Sequence, residues 1–389
     1  MTDDTTATPR SRALTLLTIA VIGVATVALF WLAPSPVSAS NTGPCDPARP
    51  HASGAFDDTI ESGSLTREYV LHIPASYDGS AAVPLIFNLH AFASNPPLQD
   101  AWSELPVKGE EEEFIVVTPK GTPVTGGVAL HWNAGLLPAP EPDDVAFLSE
   151  LLTELESQLC VDAARVYSTG LSNGAFMSSQ LACSIPNRIA AIAPVAGARF
   201  FDDCSSVPVP VIAFHGTADP LVSFGPIEGT VIPAWATHNG CAAPTEQNPL
   251  PGTVGVRLVR YAGCDDDATV ELYVVFDAEP GTLGEQGGGH TWPGSGFFIS
   301  PGLEAIVGLT TQEISANDLM WDFFVANPAS KPASVGGSST GAELRPLPLE
   351  SMESSGHGAG VLAAIASAVT ACLFVLAGAT WWARRQRAS

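Results

Sequence analysis

The sequence predicts an α/β fold with a mostly parallel central sheet flanked by helices. Apolar runs such as 83–90 and 209–216 are continuous, as in strands buried on both faces of a parallel sheet. A long amphipathic helix is predicted between such runs, over 143–159. The strand-like run 165–170 leads directly into a Gly-Ser turn and a helix-like stretch. This alternation of strands and helices predicts that active groups lie at the carboxyl ends of the strands.

Seven apolar runs carry the strand prediction, in chain order 68–74, 83–90, 114–119, 165–170, 189–197, 209–216 and 270–276. In the predicted helix, Val145, Leu148 and Leu152 continue through Leu155 and Leu159 as one apolar stripe. Asp143 or Asp144 can cap the start of this helix.

Two apolar segments flank this region. The first follows Arg10 and Arg12 and ends before "VSA", a small-x-small cleavage pattern, so residues 1–40 are a signal peptide or a retained N-terminal membrane anchor. Residues 328–357 are rich in Pro, Ser and Gly and predict a flexible stalk. Residues 358–383 contain no charge and precede the basic tail 384–389, as in a transmembrane helix with a cytoplasmic end. Residues 41–327 are thus expected to form one domain outside the cell, anchored to the membrane by the C-terminal helix.

The composition excludes some partners. The formal net charge is −24, which repels phosphate backbones and argues against nucleic acid. The chain has seven cysteines, one of which, Cys372, lies in the apolar C-terminal segment. The other six suggest up to three disulfides in an exported domain. These six cysteines are Cys45, Cys160, Cys183, Cys204, Cys241 and Cys264. There is no CxxC and no His/Cys cluster at zinc spacing, so neither a metal site nor a cofactor is predicted.

Ser172 is the candidate nucleophile. It stands in Gly170-Leu171-Ser172-Asn173-Gly174, a G-x-S-x-G between a predicted strand and a predicted helix. In a nucleophile elbow this order turns the chain so sharply that the serine hydroxyl stands clear of the sheet. A second G-x-S-x-G, over 337–341, lies in the predicted stalk without a strand before it or a helix after it.

A serine hydroxyl needs a base, and the base needs an orienting carboxylate. With the chain order Ser, acid, His, the histidine in the glycine-rich stretch "GGGHTWPG", His290, is the best candidate. His215, His238 and His357 fit less well, because they precede the acid, end a helix or lie in the stalk. Asp219 follows a predicted strand by a few residues and is the candidate acid, which predicts acyl transfer through Ser172.

The oxyanion of such a reaction needs backbone donors. The amide of Asn173, next to the nucleophile, and that of Ala91, in the loop after the strand 83–90, are the candidates. Phe92 lies behind Ala91, and His90 is expected to shape this loop rather than to transfer protons.

Five motifs in this order resemble the polyhydroxybutyrate-depolymerase-like esterase family, which includes feruloyl and acetylxylan esterases: "HWNAG" followed by "DDVAFL", "TGLSNGA", "PVAGA", "PVPVIAFHGTADPLV" and "GGGHTWPG". The resemblance covers about residues 52–327. It implies an α/β-hydrolase fold and secreted carboxylic ester hydrolysis, with Ser172, Asp219 and His290 as the triad. It also implies bridges Cys183–Cys204 and Cys241–Cys264, which leaves Cys45 and Cys160 as a third pair.

The sequence departs from the family pattern at three alanines. Ala91 and Ala93 stand in the oxyanion loop where the family usually has glycine, and Ala175 ends the elbow in place of a second glycine. Because a backbone amide survives these changes, catalysis remains the expectation. Trp132 and Trp292, in two of the motifs, are expected to line the substrate pocket or to pack in the core.

The resulting expectation is an outward-facing serine esterase acting on feruloyl- or acetyl-sugar esters, or on short hydroxyalkanoate esters. A non-catalytic binding protein on the same fold is one alternative, supported by the alanines of the oxyanion loop. A serine peptidase or acyltransferase is another, because a triad does not separate amides from esters. The oligomeric state is not predicted.

Overall fold

The computed structural model describes residues 43–135, 142–276, 287–297 and 299–329. The predicted N-terminal segment, most of the predicted stalk and the C-terminal apolar segment lie outside these ranges. Within these ranges, no helix has the length and apolar character needed to cross a bilayer.

The described strands are β1 Gly54–Ser62, β2 Leu65–Ile73, β3 Val83–Leu89, β4 Ile115–Pro119, β5 Thr122–Pro123, β6 Leu130–His131, β7 Val161–Leu171, β8 Ala191–Val195, β9 Val211–Gly216, β10 Thr245–Gln247, β11 Val256–Tyr261 and β12 Val270–Val275. Ten of them form one sheet in the order β1-β2-β4-β3-β7-β8-β9-β12-β11-β10, and β5 pairs with β6 separately. The six central strands, from β4 to β12, run parallel to their neighbours. At both edges the pairing is antiparallel.

The helices are α1 Pro96–Ser103, α2 Leu105–Glu112, α3 Asp144–Gln158, α4 Asn173–Ser184, α5 Phe224–Pro226, α6 Ile232–His238, α7 Pro301–Val307 and α8 Ala316–Ala326. A π-helical turn over Ile227–Val231 joins α5 to α6, and a short 3₁₀ turn spans Asp265–Asp267.

The predicted long helix is confirmed as α3. Asp143 provides its N-cap, because the carboxylate accepts the backbone N–H of Ala146. Asp144 has a different role: it is buried in an ion pair with Arg67 at 2.7 Å. The buried face is centred on Phe147, Leu148, Leu151, Leu152 and Leu155. Val145 and Leu159 of the predicted stripe lie beside it, Val145 half-buried and Leu159 at the C-cap.

The core has one layer on each face of the sheet. Alternate residues of β3 enter the two layers, Leu85 and Phe87 on one face and Ile86 on the other. Helices α3 and α4 cover the first layer, and α8 covers the second with Met320 and Phe324. Since the central strands are covered on both faces, their sequences read as unbroken apolar runs.

Three disulfides join described residues: Cys45–Cys160, Cys183–Cys204 and Cys241–Cys264. These are the pairs that the family resemblance implies. Cys45 precedes β1 and Cys160 lies between α3 and β7, so this bridge ties the start of the described chain to its centre.

The sheet differs from the sequence-based prediction at its edges. The run 68–74 belongs to β2, which pairs antiparallel with both β1 and β4. Strands β1, β10 and β11 were not predicted, because their residues are largely exposed or alternate in polarity instead of forming an apolar run.

Candidate active site

Ser172 lies at the turn between β7 and α4, the position of a nucleophile elbow. Its backbone has φ 58° and ψ −114°, a strained conformation for a residue with a side chain. The Ser172 amide donates to Val195 O at 2.9 Å, and Ser172 O accepts the amide of Phe176 at 3.0 Å. The side chain makes no capping bond to the helix and is partly exposed, so the turn presents the hydroxyl.

Two glycines permit this turn to pack against the end of β3. A Cβ at Gly174 would lie 2.0 Å from Leu89 O, and one at Gly170 would lie 2.6 Å from the same oxygen. No side chain fits at such distances, which explains why glycine stands on both sides of the serine. Ala175, where the family has a second glycine, is buried without obstructing the turn.

Asp219 and His290 form a buried hydrogen-bonded pair. His290 Nδ1 donates to Asp219 Oδ2 at 2.7 Å, and the two side chains are 4% and 0% exposed. The other carboxylate oxygen, Oδ1, accepts the backbone N–H groups of Leu221 and Val222, both at 2.8 Å. Because Nδ1 carries the proton in this bond, the neutral ring keeps a lone pair on Nε2, the nitrogen that a general base needs.

The environment keeps Asp219 ionised. Burial alone would raise the pKa of its carboxyl, but the hydrogen bond and charge of His290, with the Val222 amide, bring the pKa below its usual value. The carboxylate is thus a fixed negative charge beside the imidazole.

The sheet brings Ser172, Asp219 and His290 to the carboxyl ends of its central parallel strands. Ser172 follows β7 and Asp219 follows β9, and the strand between them, β8, runs parallel to both. The His290 loop is held against the end of β9, where Ala218 N donates to Gly288 O and a Cβ on Gly216 would lie 2.0 Å from that oxygen.

The oxyanion loop follows β3 at the same edge. His90 is wholly buried: Nδ1 bonds the Ala91 carbonyl at 2.8 Å, and Nε2 accepts the amide of Gly121 at 2.9 Å. A carbonyl can only accept and an amide can only donate, so His90 is neutral with its proton on Nδ1. Burial lowers the pKa of His90 to about 4. Both ring nitrogens are occupied, so His90 holds the backbone of Ala91 and has no role open to it in proton transfer.

Trp132 links the oxyanion loop to the elbow. Its backbone N–H donates to Asn173 Oδ1 at 2.7 Å, and Asn173 Nδ2 donates back to Trp132 O at 3.2 Å. Its indole N–H donates to His90 O at 3.0 Å. The two segments that carry the Ala91 and Asn173 amides are thereby joined through one buried residue, a role that the sequence did not reveal.

The remaining pocket candidates differ in exposure. Phe92 is partly exposed and meets the ring of His131 edge-on at 6.5 Å between centroids. Trp292 is buried, and its indole N–H donates to Asn317 Oδ1 at 3.0 Å. The side chains of Trp132 and Trp292 are both buried, and each indole N–H donates a hydrogen bond. This is the geometry of packing residues next to the site.

No set of three or more His, Cys, Asp or Glu side chains in the described ranges could hold a metal ion.

Known proteins similar to the chain include several esterases. No family model matches the chain. It is similar to feruloyl esterase C of Emericella nidulans, with 28% identity over 270 residues, covering 67% of this chain and 84% of that protein. Probable feruloyl esterase C of Aspergillus niger is also 28% identical, over 267 residues and the same shares of both chains. Feruloyl esterase B of Piromyces equi is 27% identical over 248 residues, which are 58% of this chain but only 42% of that protein.

Among solved structures, the acetyl xylan esterase from Aspergillus awamori matches with a TM-score of 0.46 and 16% identity, covering 58% of this chain and 93% of that chain. All three of these relatives carry the name feruloyl esterase. The chain is accordingly an enzyme, a carboxylic ester hydrolase.

Proposed function

We propose that the chain is a serine esterase of the α/β-hydrolase fold in which Ser172 is the nucleophile, His290 the general base and acid, and Asp219 the orienting carboxylate. The observation that carries the proposal is the 2.7 Å bond between His290 Nδ1 and Asp219 Oδ2, at the sheet edge where the strained turn presents Ser172. The parallel central strands and the chain order Ser, Asp, His support it.

In the acylation step, Ser172 Oγ attacks the ester carbonyl carbon while His290 Nε2 takes the hydroxyl proton. The carbonyl oxygen becomes an oxyanion, for which the amides of Ala91 and Asn173 are the proposed donors. The bond to the alcohol oxygen then breaks, and the imidazolium returns its proton to the leaving alcohol. The acyl group remains on Ser172.

In the deacylation step, water attacks the acyl carbon and gives its proton to His290. The second tetrahedral intermediate collapses, the bond to Ser172 Oγ breaks, and the imidazolium reprotonates the serine. Asp219 stabilises the imidazolium in both steps because its own pKa is held low.

The proposed substrates are feruloyl or acetyl esters of sugars, either small molecules or oligosaccharides. The names of the relatives support the feruloyl esters, since three of them are feruloyl esterases. A net charge of −24 favours neutral substrates over polyanions. Short hydroxyalkanoate esters, suggested by the sequence motifs, belong in the same assay.

We further propose that the enzyme works outside the cytoplasm. Three disulfides in one domain are typical of an oxidising compartment. The uncharged segment 358–383 and the basic tail after it would anchor the domain to the cell surface. Alkaline extraction of membranes from cells making the full chain tests the anchor: the enzyme should stay in the pellet, whereas residues 41–357 exported behind a cleavable signal peptide should be released.

The test of the proposed function uses the full chain in mild detergent and three esters: 4-nitrophenyl acetate, methyl ferulate and methyl 3-hydroxybutyrate. Ser172→Ala should lower kcat/KM at least about a thousand-fold on every ester that the wild type hydrolyses. The matched control is Ser339→Ala, which removes the central serine of the second G-x-S-x-G and should change nothing. A folded wild type no faster than Ser172→Ala on all three esters would reject the serine esterase and favour a binding protein.

A further inference from the structure

We propose that His215 is a positioning residue that holds the Asp219 carboxylate in register with His290. The inference rests on the proposed function, because it assigns a role within the same site. His215 is the penultimate residue of β9, and its side chain is 1% exposed. The chain order Ser, Asp, His excludes it as the catalytic base, so its burial at this edge needs another explanation.

The proton of His215 is fixed by its partner. Nε2 lies 2.9 Å from the backbone oxygen of Val222. A carbonyl oxygen only accepts, so Nε2 carries the hydrogen. This bond connects the end of β9 to the turn that follows Asp219.

The same turn provides the donors to Asp219. The amides of Leu221 and Val222 both donate to Oδ1 at 2.8 Å. Val222 thus bonds Asp219 through its N–H and His215 through its carbonyl. His215 Nε2 also lies 3.4 Å from Oδ2, the oxygen that accepts from His290. Losing the imidazole would free the Val222 carbonyl and allow the carboxylate to rotate away from His290.

His215 acts as a neutral donor. Its second nitrogen, Nδ1, is buried and has no hydrogen-bond partner among the described residues. Burial lowers the pKa of His215, and the nearby His290 lowers it further, although the charge of Asp219 opposes both. The ring centroids of His215 and Phe224 lie 6.1 Å apart. The titratable groups that act on His215 are Asp219 and His290.

Neutrality has a catalytic consequence. A cation at His215 would compete with the His290 imidazolium for the single charge of Asp219, because both would lie against Oδ2. A neutral N–H fixes the direction of the carboxylate without cancelling its charge. The arrangement therefore leaves the full attraction of Asp219 for the imidazolium that forms during catalysis.

The test compares His215→Leu, which removes the donor, with His215→Gln, whose amide can still donate to the Val222 carbonyl. For each variant in the full chain, kcat, KM and the pH profile of kcat/KM are measured with 4-nitrophenyl acetate, alongside thermal unfolding. The matched control is His238→Leu. His238 is the last residue of α6, and its Nε2 also bonds a backbone carbonyl, that of Val207 at 3.2 Å.

His215→Leu should lower kcat about tenfold to a hundredfold with little change in KM, because a small misplacement of the base is costly. The acid limb of the pH profile should move to lower pH, since a misdirected carboxylate stabilises the imidazolium less. His215→Gln should keep most of the wild-type kcat and an acid limb near that of the wild type. His238→Leu should change neither. A merely structural role would change thermal unfolding without moving the acid limb.

A folded His215→Leu with the wild-type kcat and acid limb would overturn the inference. If that variant does not fold, His215→Gln is compared with His215→Asn, whose shorter side chain does not reach the Val222 carbonyl. The acid limb should move only for His215→Asn, and identical profiles for the two would equally overturn it. The Ser172→Ala assay tests the proposed function separately, because it does not involve His215.

Discussion

Three of the buried histidines among the described residues, His90, His215 and His290, lie next to the site, and the partner of each ring fixes where it carries its proton. His90 carries its proton on Nδ1, which donates to the Ala91 carbonyl, and His215 carries its proton on Nε2, which donates to the Val222 carbonyl. His290 carries a proton on Nδ1, which donates to the Asp219 carboxylate. His290 bonds the Asp219 carboxylate directly at 2.7 Å, whereas His215 bonds a backbone carbonyl and its Nε2 lies 3.4 Å from the same carboxylate oxygen, so the three rings have different chemistry although all are buried. Acid–base function thus follows from hydrogen-bond partners and not from burial alone.

The low pKa of His90 predicts acid sensitivity. Between its unfolded value of 6.5 and its folded value of about 4, the unfolded chain binds a proton at this ring and the folded chain does not. Stability is therefore lost as the pH falls through this window, on the order of 3 kcal/mol when each pKa unit corresponds to about 1.4 kcal/mol. Urea unfolding at pH 7 and about pH 4.5 should show a smaller loss for His90→Gln than for the wild type. Equal losses would contradict the buried neutral imidazole.

Trp132 offers a second residue-scale prediction. Trp132→Phe keeps an aromatic ring but removes the donor to His90 O, which should cost about 1–3 kcal/mol of stability. It should also lower kcat about tenfold, because the segment carrying the Ala91 amide is no longer fixed to the elbow. Trp235→Phe is the control, since it removes an equivalent buried bond to Arg199 O at 2.8 Å. Equal effects of both variants on kcat would rule out the bridging role.

At the scale of elements, the β7–turn–α4 unit depends on close backbone contact with β3. Gly174→Ala would place a Cβ 2.0 Å from Leu89 O, so we expect a loss of about 3 kcal/mol or more, or failure to fold. Gly302→Ala is the control, because a Cβ there meets nothing within 4 Å and a helix gains up to about 1 kcal/mol from alanine. Chemical denaturation compares the two. Wild-type stability in Gly174→Ala would show that the strand and helix do not pack as described.

The elements that the sequence predicted correctly are those with strong local patterns. Helix α3 has an apolar stripe and a capping aspartate, and the central strands are unbroken apolar runs. The edge strand β1, with the sequence GAFDDTIES, has neither, and its pairing with β2 depends on tertiary context.

The same reasoning separates the predicted from the unforeseen parts of the site. Glycines, chain order and strand ends predicted Ser172, Asp219 and His290 as the triad, because these features are local in sequence. The bonds of Trp132 to Asn173 and His90 join residues 41 and 42 positions apart, and no local pattern encodes them. His215 was set aside for its place in the chain order, while its contact with the turn after Asp219 is visible only in three dimensions.

At the scale of the whole molecule, the disulfides close loops of very different length. The Cys45–Cys160 bridge spans 115 residues, whereas the other two span 21 and 23. Chain entropy predicts that the long loop contributes about 5 kcal/mol and a short one about 3 kcal/mol. Replacing Cys45 and Cys160 by alanine should therefore lower the unfolding free energy more than replacing Cys183 and Cys204. A larger loss from the shorter loop would show that native-state packing outweighs chain entropy here.

The most direct test of the whole account is to find which residue becomes covalently modified. Phenylmethylsulfonyl fluoride sulfonylates an activated serine and releases fluoride, and mass spectrometry of the digested full chain locates the adduct. We predict one adduct per chain, on Ser172, whose formation parallels the loss of esterase activity, with His290→Ala greatly slowing the reaction. Loss of activity with the adduct on another residue, or full modification of Ser172 with activity intact, would contradict the assignment of Ser172 as the nucleophile.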